Sequence, residues 1–184
     1  MKTKELIVDG NKKIYVFDDV FDLEWRTVTF DYIKKSLFST GYRDTEENHE
    51  ASHLYFCSSY GPSDIEHLKI IENIKDKELL GLLKNKEIYR CIVNCSVPTD
   101  TNFVHSHSNT TFLYYTNPFW KEGWAGETLF YNESVSEIVY ASVYKPGRVI
   151  LFDGSIPHSL RPQSRMAPHH RYTLSMFLDK GKKL

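Results

Sequence analysis

The sequence predicts a mainly β chain of α+β type, a sandwich or barrel supported by helices from its first half. Three observations carry this. From residue 87 onward, short β-type runs follow one another, separated by turn residues. Aromatic residues make up 14% of the chain, with 12 Tyr and 11 Phe, which suits half-buried pleated surfaces and a large core. Helical periodicity occurs only between residues 22 and 83.

In order along the chain, Leu6-Ile-Val8 and Ile14-Tyr-Val-Phe17 read as strands joined by Asp9-Gly10-Asn11, a strong hairpin turn. Residues 22–38 suit a helix whose apolar residues are Leu23, Val28, Phe30, Ile33, Leu37 and Phe38. Residues 39–61 are polar and poorly periodic, a loop with a short strand near Leu54-Tyr-Phe56. Ser63-Asp-Ile-Glu66 has the capping-box form, so a helix is expected from Ser63, ending or breaking near Gly81. The β runs are then Ile88–Val97, Phe112–Thr116, Thr128–Tyr131, Ile138–Val143, Arg148–Phe152 and Tyr172–Leu178. No repeat, low-complexity tract or linker interrupts the 184 residues, so one domain over 1–184 is expected, with its motif-bearing core at about 87–179.

Charge narrows the function. The 23 Lys+Arg and 24 Asp+Glu give a formal net charge of −1, which argues against a general electrostatic grip on nucleic acid or an anionic membrane. No apolar run reaches signal-peptide or membrane-span length. Cys57, Cys91 and Cys95 form no zinc-type pattern and read as reduced, partly buried thiols of a cytoplasmic protein.

The most informative stretch is Val104-His105-Ser-His107-Ser-Asn109. Residues i and i+2 of an extended segment project from one face, so His105 and His107 can enter one cavity together. Imidazole is the commonest protein ligand for divalent transition metals. A third histidine, His158, follows the apolar run Val149-Ile-Leu-Phe152, and a barrel or jelly roll could bring it beside the first two. His169-His170 are adjacent and point to opposite sides, while His49, His53 and His67 carry no pattern.

Residues 104–178 resemble the catalytic core of the Fe(II)/2-oxoglutarate-dependent dioxygenases, in their prolyl-4-hydroxylase-like branch. The ordered matches are His105-Ser-His107, Phe112-Leu-Tyr-Tyr-Thr-Asn-Pro118, Trp124-Ala-Gly-Glu-Thr-Leu-Phe130, Lys145-Pro-Gly-Arg-Val-Ile-Leu-Phe-Asp153, Pro157-His158 and Arg171-Tyr-Thr-Leu-Ser175. The resemblance implies a double-stranded β-helix (jelly roll) with supporting N-terminal helices. It also implies an iron- and 2-oxoglutarate-dependent dioxygenase hydroxylating an aliphatic C–H bond of an amino acid, peptide or small metabolite. By residue matching, His105 and His158 take the first and distal metal-ligand positions. Arg171 matches the arginine that pairs with the far carboxylate of 2-oxoglutarate, a task suited to its planar fork. Tyr115 and Thr173 are further candidate contacts to that cosubstrate.

One departure stands out. Where the family carries an Asp or Glu ligand, this chain has His107. Three neutral imidazoles leave a bound dication at full charge, raise the iron's reduction potential and let Cu, Ni or Zn compete. Three arrangements follow: a working three-histidine iron centre with His105, His107 and His158, a carboxylate supplied by Asp100 or Glu127, or a catalytically silent metal-binding relative. A three-histidine dioxygenase of cupin type that needs no 2-oxoglutarate is a further alternative. Trp120, Trp124 and Tyr114 are read as lining a substrate cleft or as core packing, and Arg161 and Arg165 as surface groups or substrate contacts. Gly126 is read as a tight backbone approach and Gly147 as a turn.

Overall fold

In the computed structural model, residues 1–40, 56–98, 100 and 103–180 are described. A large antiparallel sheet is built from β1 (Lys2–Val8), β2 (Lys12–Phe17), β3 (Phe56–Tyr60), β4 (Lys86–Ser96), β5 (Thr110–Tyr115), β8 (Val149–Asp153) and β10 (Arg171–Lys180). Their spatial order is β1-β2-β8-β5-β10-β4-β3. A smaller sheet, ordered β7-β6-β9, contains β6 (Thr128–Tyr131), β7 (Ile138–Ser142) and β9 (His158–Leu160). The expected strands all appear, apart from the stretch near Leu54, of which residues 54 and 55 lie outside the described residues. β9 is an addition: three residues are too few to show alternation in a sequence.

The large sheet is buried on both faces, which explains runs such as Val149-Ile-Leu-Phe152 in place of strict alternation. One face, with Val93, Phe112, Tyr114, Leu151, Leu174 and Met176, packs under the helices. The other, with Leu113, Tyr115, Ile150 and Phe152, turns toward the small sheet. Cys91 and Cys95 share the helix-facing side of β4, and burial pushes their thiols up to about 12 and about 11. They are neutral buried groups, as expected.

The helices are α1 (Leu23–Lys34), α2 (Pro62–Leu68) and α3 (Lys77–Leu83). α1 ends before residue 38. Its buried face is Trp25, Thr29, Tyr32 and Ile33, at i, i+4, i+7 and i+8, whereas Leu23, Val28 and Leu37 are exposed. The indole N–H of Trp25 donates to the Leu68 carbonyl (2.9 Å), and the Tyr32 hydroxyl donates to Asp64 (2.6 Å), tying α1 to α2.

The capping box expected at Ser63 lies two residues earlier. Gly61 is the N-cap, Pro62 opens the helix, and the Asp64 carboxylate accepts from the Gly61 amide at 2.8 Å. Proline's fixed φ and missing N–H suit that first position, so it takes precedence over the serine signal. The single helix expected up to Gly81 is instead two. Lys69 adopts a left-handed conformation (φ 46°) that ends α2, and Asp76 caps α3 by accepting from the Glu78 and Leu79 amides at 3.0 Å. Gly81 sits inside α3. Among the described residues, no helix is long and apolar enough to cross a membrane.

Candidate metal and cosubstrate site

The two sheets enclose a cavity of about 90 Å³. Its floor is the inner face of the large sheet. Antiparallel register sets Arg171 beside Ser96, Thr173 beside Asn94, Ser175 beside Ile92 and Leu113, and Phe177 beside Thr111. Period-2 alternation on β10 puts Arg171, Thr173, Ser175 and Phe177 on this one face.

The structure brings His105, His107 and His158 together across that cavity, with their ligand-capable atoms all within 4.8 Å of one another. His105 and His158 face each other in an isolated antiparallel bridge: the His105 amide donates to the His158 carbonyl (3.0 Å), and the His158 amide to the His105 carbonyl (2.9 Å). Directly opposed residues put their side chains on one side, and the two ring centroids stand 4.4 Å apart. His107 follows by one extended repeat, with its ring against Phe177 at 4.8 Å.

The ring nitrogens are set by the backbone. The His105 Nδ1 lies 3.1 Å from the Phe103 carbonyl, and the His158 Nδ1 lies 2.8 Å from the Ile156 carbonyl. A carbonyl only accepts, so each Nδ1 carries the proton and each Nε2 carries the lone pair, the tautomer a metal requires. Burial holds the His158 pKa well below the usual histidine range, reinforced by the neighbouring His105 and His107. Its imidazole is neutral, a donor of electrons rather than a cation. This donor set fits a borderline divalent transition metal.

Gly154 makes the His107 position possible. The His107 amide donates to the Gly154 carbonyl (2.7 Å), and the Gly154 amide to the Asn109 carbonyl (3.0 Å). A Cβ on residue 154 would fall 2.1 Å from that Asn109 oxygen and 3.1 Å from the His107 Cβ.

At the far end Arg171 is 4% exposed. Its Nε donates to the Gly126 carbonyl (2.8 Å) and one Nη to the Thr128 hydroxyl (3.3 Å), while its guanidinium lies over the rings of Tyr144 (5.0 Å) and Tyr115 (5.4 Å). Gly126 works as the sequence reading expects. It has φ +86°, and its missing Cβ leaves room for the Arg171 Cδ, which would stand 3.2 Å from it. Among the described residues no carboxylate hydrogen-bonds or ion-pairs with Arg171; burial lowers its pKa and penalises its charge, while Glu127 favours that charge only through space. A buried cation without an anion is costly.

Thr173 lines the cavity. Tyr115 is not among the lining residues; its ring lies under the Arg171 guanidinium (5.4 Å) and its hydroxyl donates to Thr128 Oγ1 (2.8 Å). Asp100 and Glu127, considered as a missing carboxylate, do not join the three histidines. Asp100 accepts from the Val97 amide (2.7 Å), and Glu127 lies 3.7 Å from the exposed Arg161. Trp120 and Trp124 are core residues packed edge to face at 5.5 Å, and Tyr114 belongs to the helix-side core. His169 and His170 lie outside the cluster.

Three supporting residues escaped sequence reasoning. Thr128 holds the Arg171 guanidinium. Gln163 accepts from the Arg171 amide (3.1 Å). Asn117 accepts from the Tyr172 amide (2.8 Å) and the Tyr144 hydroxyl (2.6 Å), so it fixes the start of β10. In the sequence Asn117 stands before Pro118, a pair that by itself marks a turn.

No protein-family model matches this chain, and no curated protein matches it in sequence. Solved structures do match. A prolyl hydroxylase from Trichoplax adhaerens, in complex with a hypoxia-inducible-factor peptide, aligns with TM-score 0.66 at 18% identity, covering 91% of this chain and 83% of that one. HygX from Streptomyces hygroscopicus, with nickel and 2-oxoglutarate bound, aligns with TM-score 0.64 at 8% identity, covering 90% and 82%. A prolyl-4-hydroxylase from Pseudomonas putida aligns with TM-score 0.60 at 14% identity, covering 90% and 92%.

The fold is that of the 2-oxoglutarate oxygenases. In this double-stranded β-helix the three histidines bridge the rim of the small sheet and the His105 segment, and Arg171 opens the last strand of the large sheet.

Proposed function

We propose that this chain is a metal- and 2-oxoglutarate-dependent oxygenase, one domain over residues 1–184, with His105, His107 and His158 as its metal ligands. Fe(II) is the metal assigned. The observation that carries the reading is the pairing of two sites in one cavity: three convergent imidazoles at one end and, at the other, a buried Arg171 with no carboxylate among the described lining residues. A dicarboxylate with a keto acid at one end answers both. Its far carboxylate neutralises Arg171, whose fork suits a bidentate grip, with Thr128 and Thr173 as neighbouring hydroxyls. Arg171 also favours this reading over a cupin-type site, which leaves that cation without an anion.

When bound, the iron and cosubstrate supply the oxidising chemistry, with 2-oxoglutarate decarboxylated to succinate and CO₂ as oxygen is consumed. The chain's own residues bind and orient. The histidine Nδ1–H bonds to the Phe103 and Ile156 carbonyls fix two rings before any ligand arrives, and Phe152, Leu113 and Phe177 supply the apolar part of the cavity wall. The proposed reaction is hydroxylation of an aliphatic C–H bond. A peptide or a small molecule is the substrate class, consistent with a prolyl hydroxylase bound to a peptide and HygX bound to hygromycin B among the similar structures.

The test is an anaerobic titration of Fe(II) and 2-oxoglutarate into metal-free protein. A visible metal-to-ligand charge-transfer band is expected only when both are present, and it should be lost in His105→Ala. Iron binding without any such band would overturn the reading.

A further inference from the structure

The charge of the site points to an anionic substrate group. We propose that the loaded cavity takes a third negative charge, beyond the two of the cosubstrate, as a carboxylate-sized monoanion beside the metal. This rests on the metal and cosubstrate reading above. Ligating imidazoles are neutral, so His105, His107 and His158 add no charge. A divalent ion contributes +2, Arg171 contributes +1, and doubly ionised 2-oxoglutarate contributes −2. About one positive charge is left over.

Nothing on the cavity wall cancels it. Among the described lining residues there is no Asp or Glu; apart from the histidines and Arg171, the polar groups are Asn94 and the hydroxyls of Ser96, Thr111, Thr128, Ser159, Thr173 and Ser175. Glu127 and Asp100 are outside the lining; the charge of Glu127 reaches Arg171 through space but is shared with Arg161, 3.7 Å away. A carboxylate at position 107 would bring the same sum to zero, so the surplus is a consequence of His107. An uncompensated charge in a half-dry cavity is offset most simply by a ligand of opposite sign. The Thr and Ser hydroxyls can turn their protons toward such a ligand.

The experiment uses the whole protein with Co(II), which does not start oxygen chemistry, and 2-oxoglutarate, whose binding is read first from the Co(II) visible spectrum. Azide is then titrated as an optical monoanion and imidazole as a neutral counterpart, in parent and His107→Asp proteins. Azide should bind the parent about 10- to 100-fold more tightly than the variant, the effect of one unit charge a few ångströms away. Imidazole affinity should agree within about threefold between the two proteins. Acetate displacing azide at lower concentration than chloride assigns the site to a substrate carboxylate; equal competition assigns it to an inorganic anion, which overturns the substrate assignment. Equal azide affinity in both proteins, or an equal loss for imidazole, overturns the proposal while the cosubstrate spectrum still stands. A parent protein whose Co(II) spectrum ignores 2-oxoglutarate removes both readings.

Discussion

His158 concentrates the site's demands on one side chain. It is buried and neutral, its Nδ1–H is held by the Ile156 carbonyl, and its backbone pairs with His105. His158→Ala should therefore weaken Co(II) or Ni(II) binding by at least about 100-fold, as for loss of a ligand and its oriented partner. Isothermal titration calorimetry checks this, and the β9 bridge should survive because it uses only main-chain atoms. Asp18 shows the opposite use of charge. Burial raises its pKa, but the bidentate Arg148 fork (2.8 and 3.0 Å) and Lys145 (2.8 Å) outweigh this and hold it below the usual value of 3.8. A depressed carboxylate pKa stabilises the folded state above the unfolded pKa. That contribution fades as pH falls below about 4 and through the folded pKa. Asp18→Asn should cost about 2 kcal/mol at pH 7 by urea unfolding. The gap from the parent should shrink as titrations move from pH 5 toward pH 3. The histidine pair at 105 and 107 was legible because extended spacing alone puts both on one face. The Asp18 network was not, because Lys145 and Arg148 are 127 and 130 residues away in sequence and meet it only through the pairing of β2 with β8.

Elements hold these residues, and two of their junctions separate site from scaffold. The β8–β9 turn carries Gly154 against the segment that bears His107. Gly154→Ala places a carbon 2.1 Å from the Asn109 carbonyl oxygen, so one of the two segments must move. Overpacking of this kind costs about 1–3 kcal/mol. His107 is displaced with its backbone, so the Ni(II)-induced rise in thermal midpoint should shrink far more than the apo midpoint falls. Asp76→Ala is the counterpart. It removes the α3 cap and should cost about 1 kcal/mol, leaving the Ni(II)-induced shift unchanged in differential scanning calorimetry. The strands were legible because their apolar runs are bounded by turn residues. The helix starts were misplaced because Pro62 and Asp76 compete with the Ser63 signal at similar strength. β9 was invisible because its pairing with β6 and His105, not its composition, makes it a strand.

At the scale of the molecule, the cavity joins two sheets that are otherwise packed through apolar side chains. Arg171 belongs to the large sheet and His158 to the small one, and a dicarboxylate that meets both would cross-link them. Sequence matching could place these residues at the right strands, yet that no carboxylate among the described residues ion-pairs with Arg171 became visible only once the chain had folded. That absence predicts a conflict between stability and function. Replacing a buried cation that has no ion-pair partner with an apolar side chain of similar length is often neutral or stabilising, whereas keeping it serves a ligand of opposite charge. Arg171→Met should therefore leave the metal-free protein at least as stable as the parent in urea, despite losing the bond to the Gly126 carbonyl. The same variant should lose the response to 2-oxoglutarate. In the parent with metal present, cosubstrate at 100 times its dissociation constant should add about 2.7 kcal/mol, a rise of roughly 5–10 °C in thermal midpoint. In Arg171→Met that rise should fall to near zero, while the shift caused by metal alone persists through the three histidines. A variant that unfolds outright in the absence of ligands would mean that Arg171 is a structural residue, and that the cavity was shaped around its bonds to Gly126 and Thr128 rather than around a carboxylate.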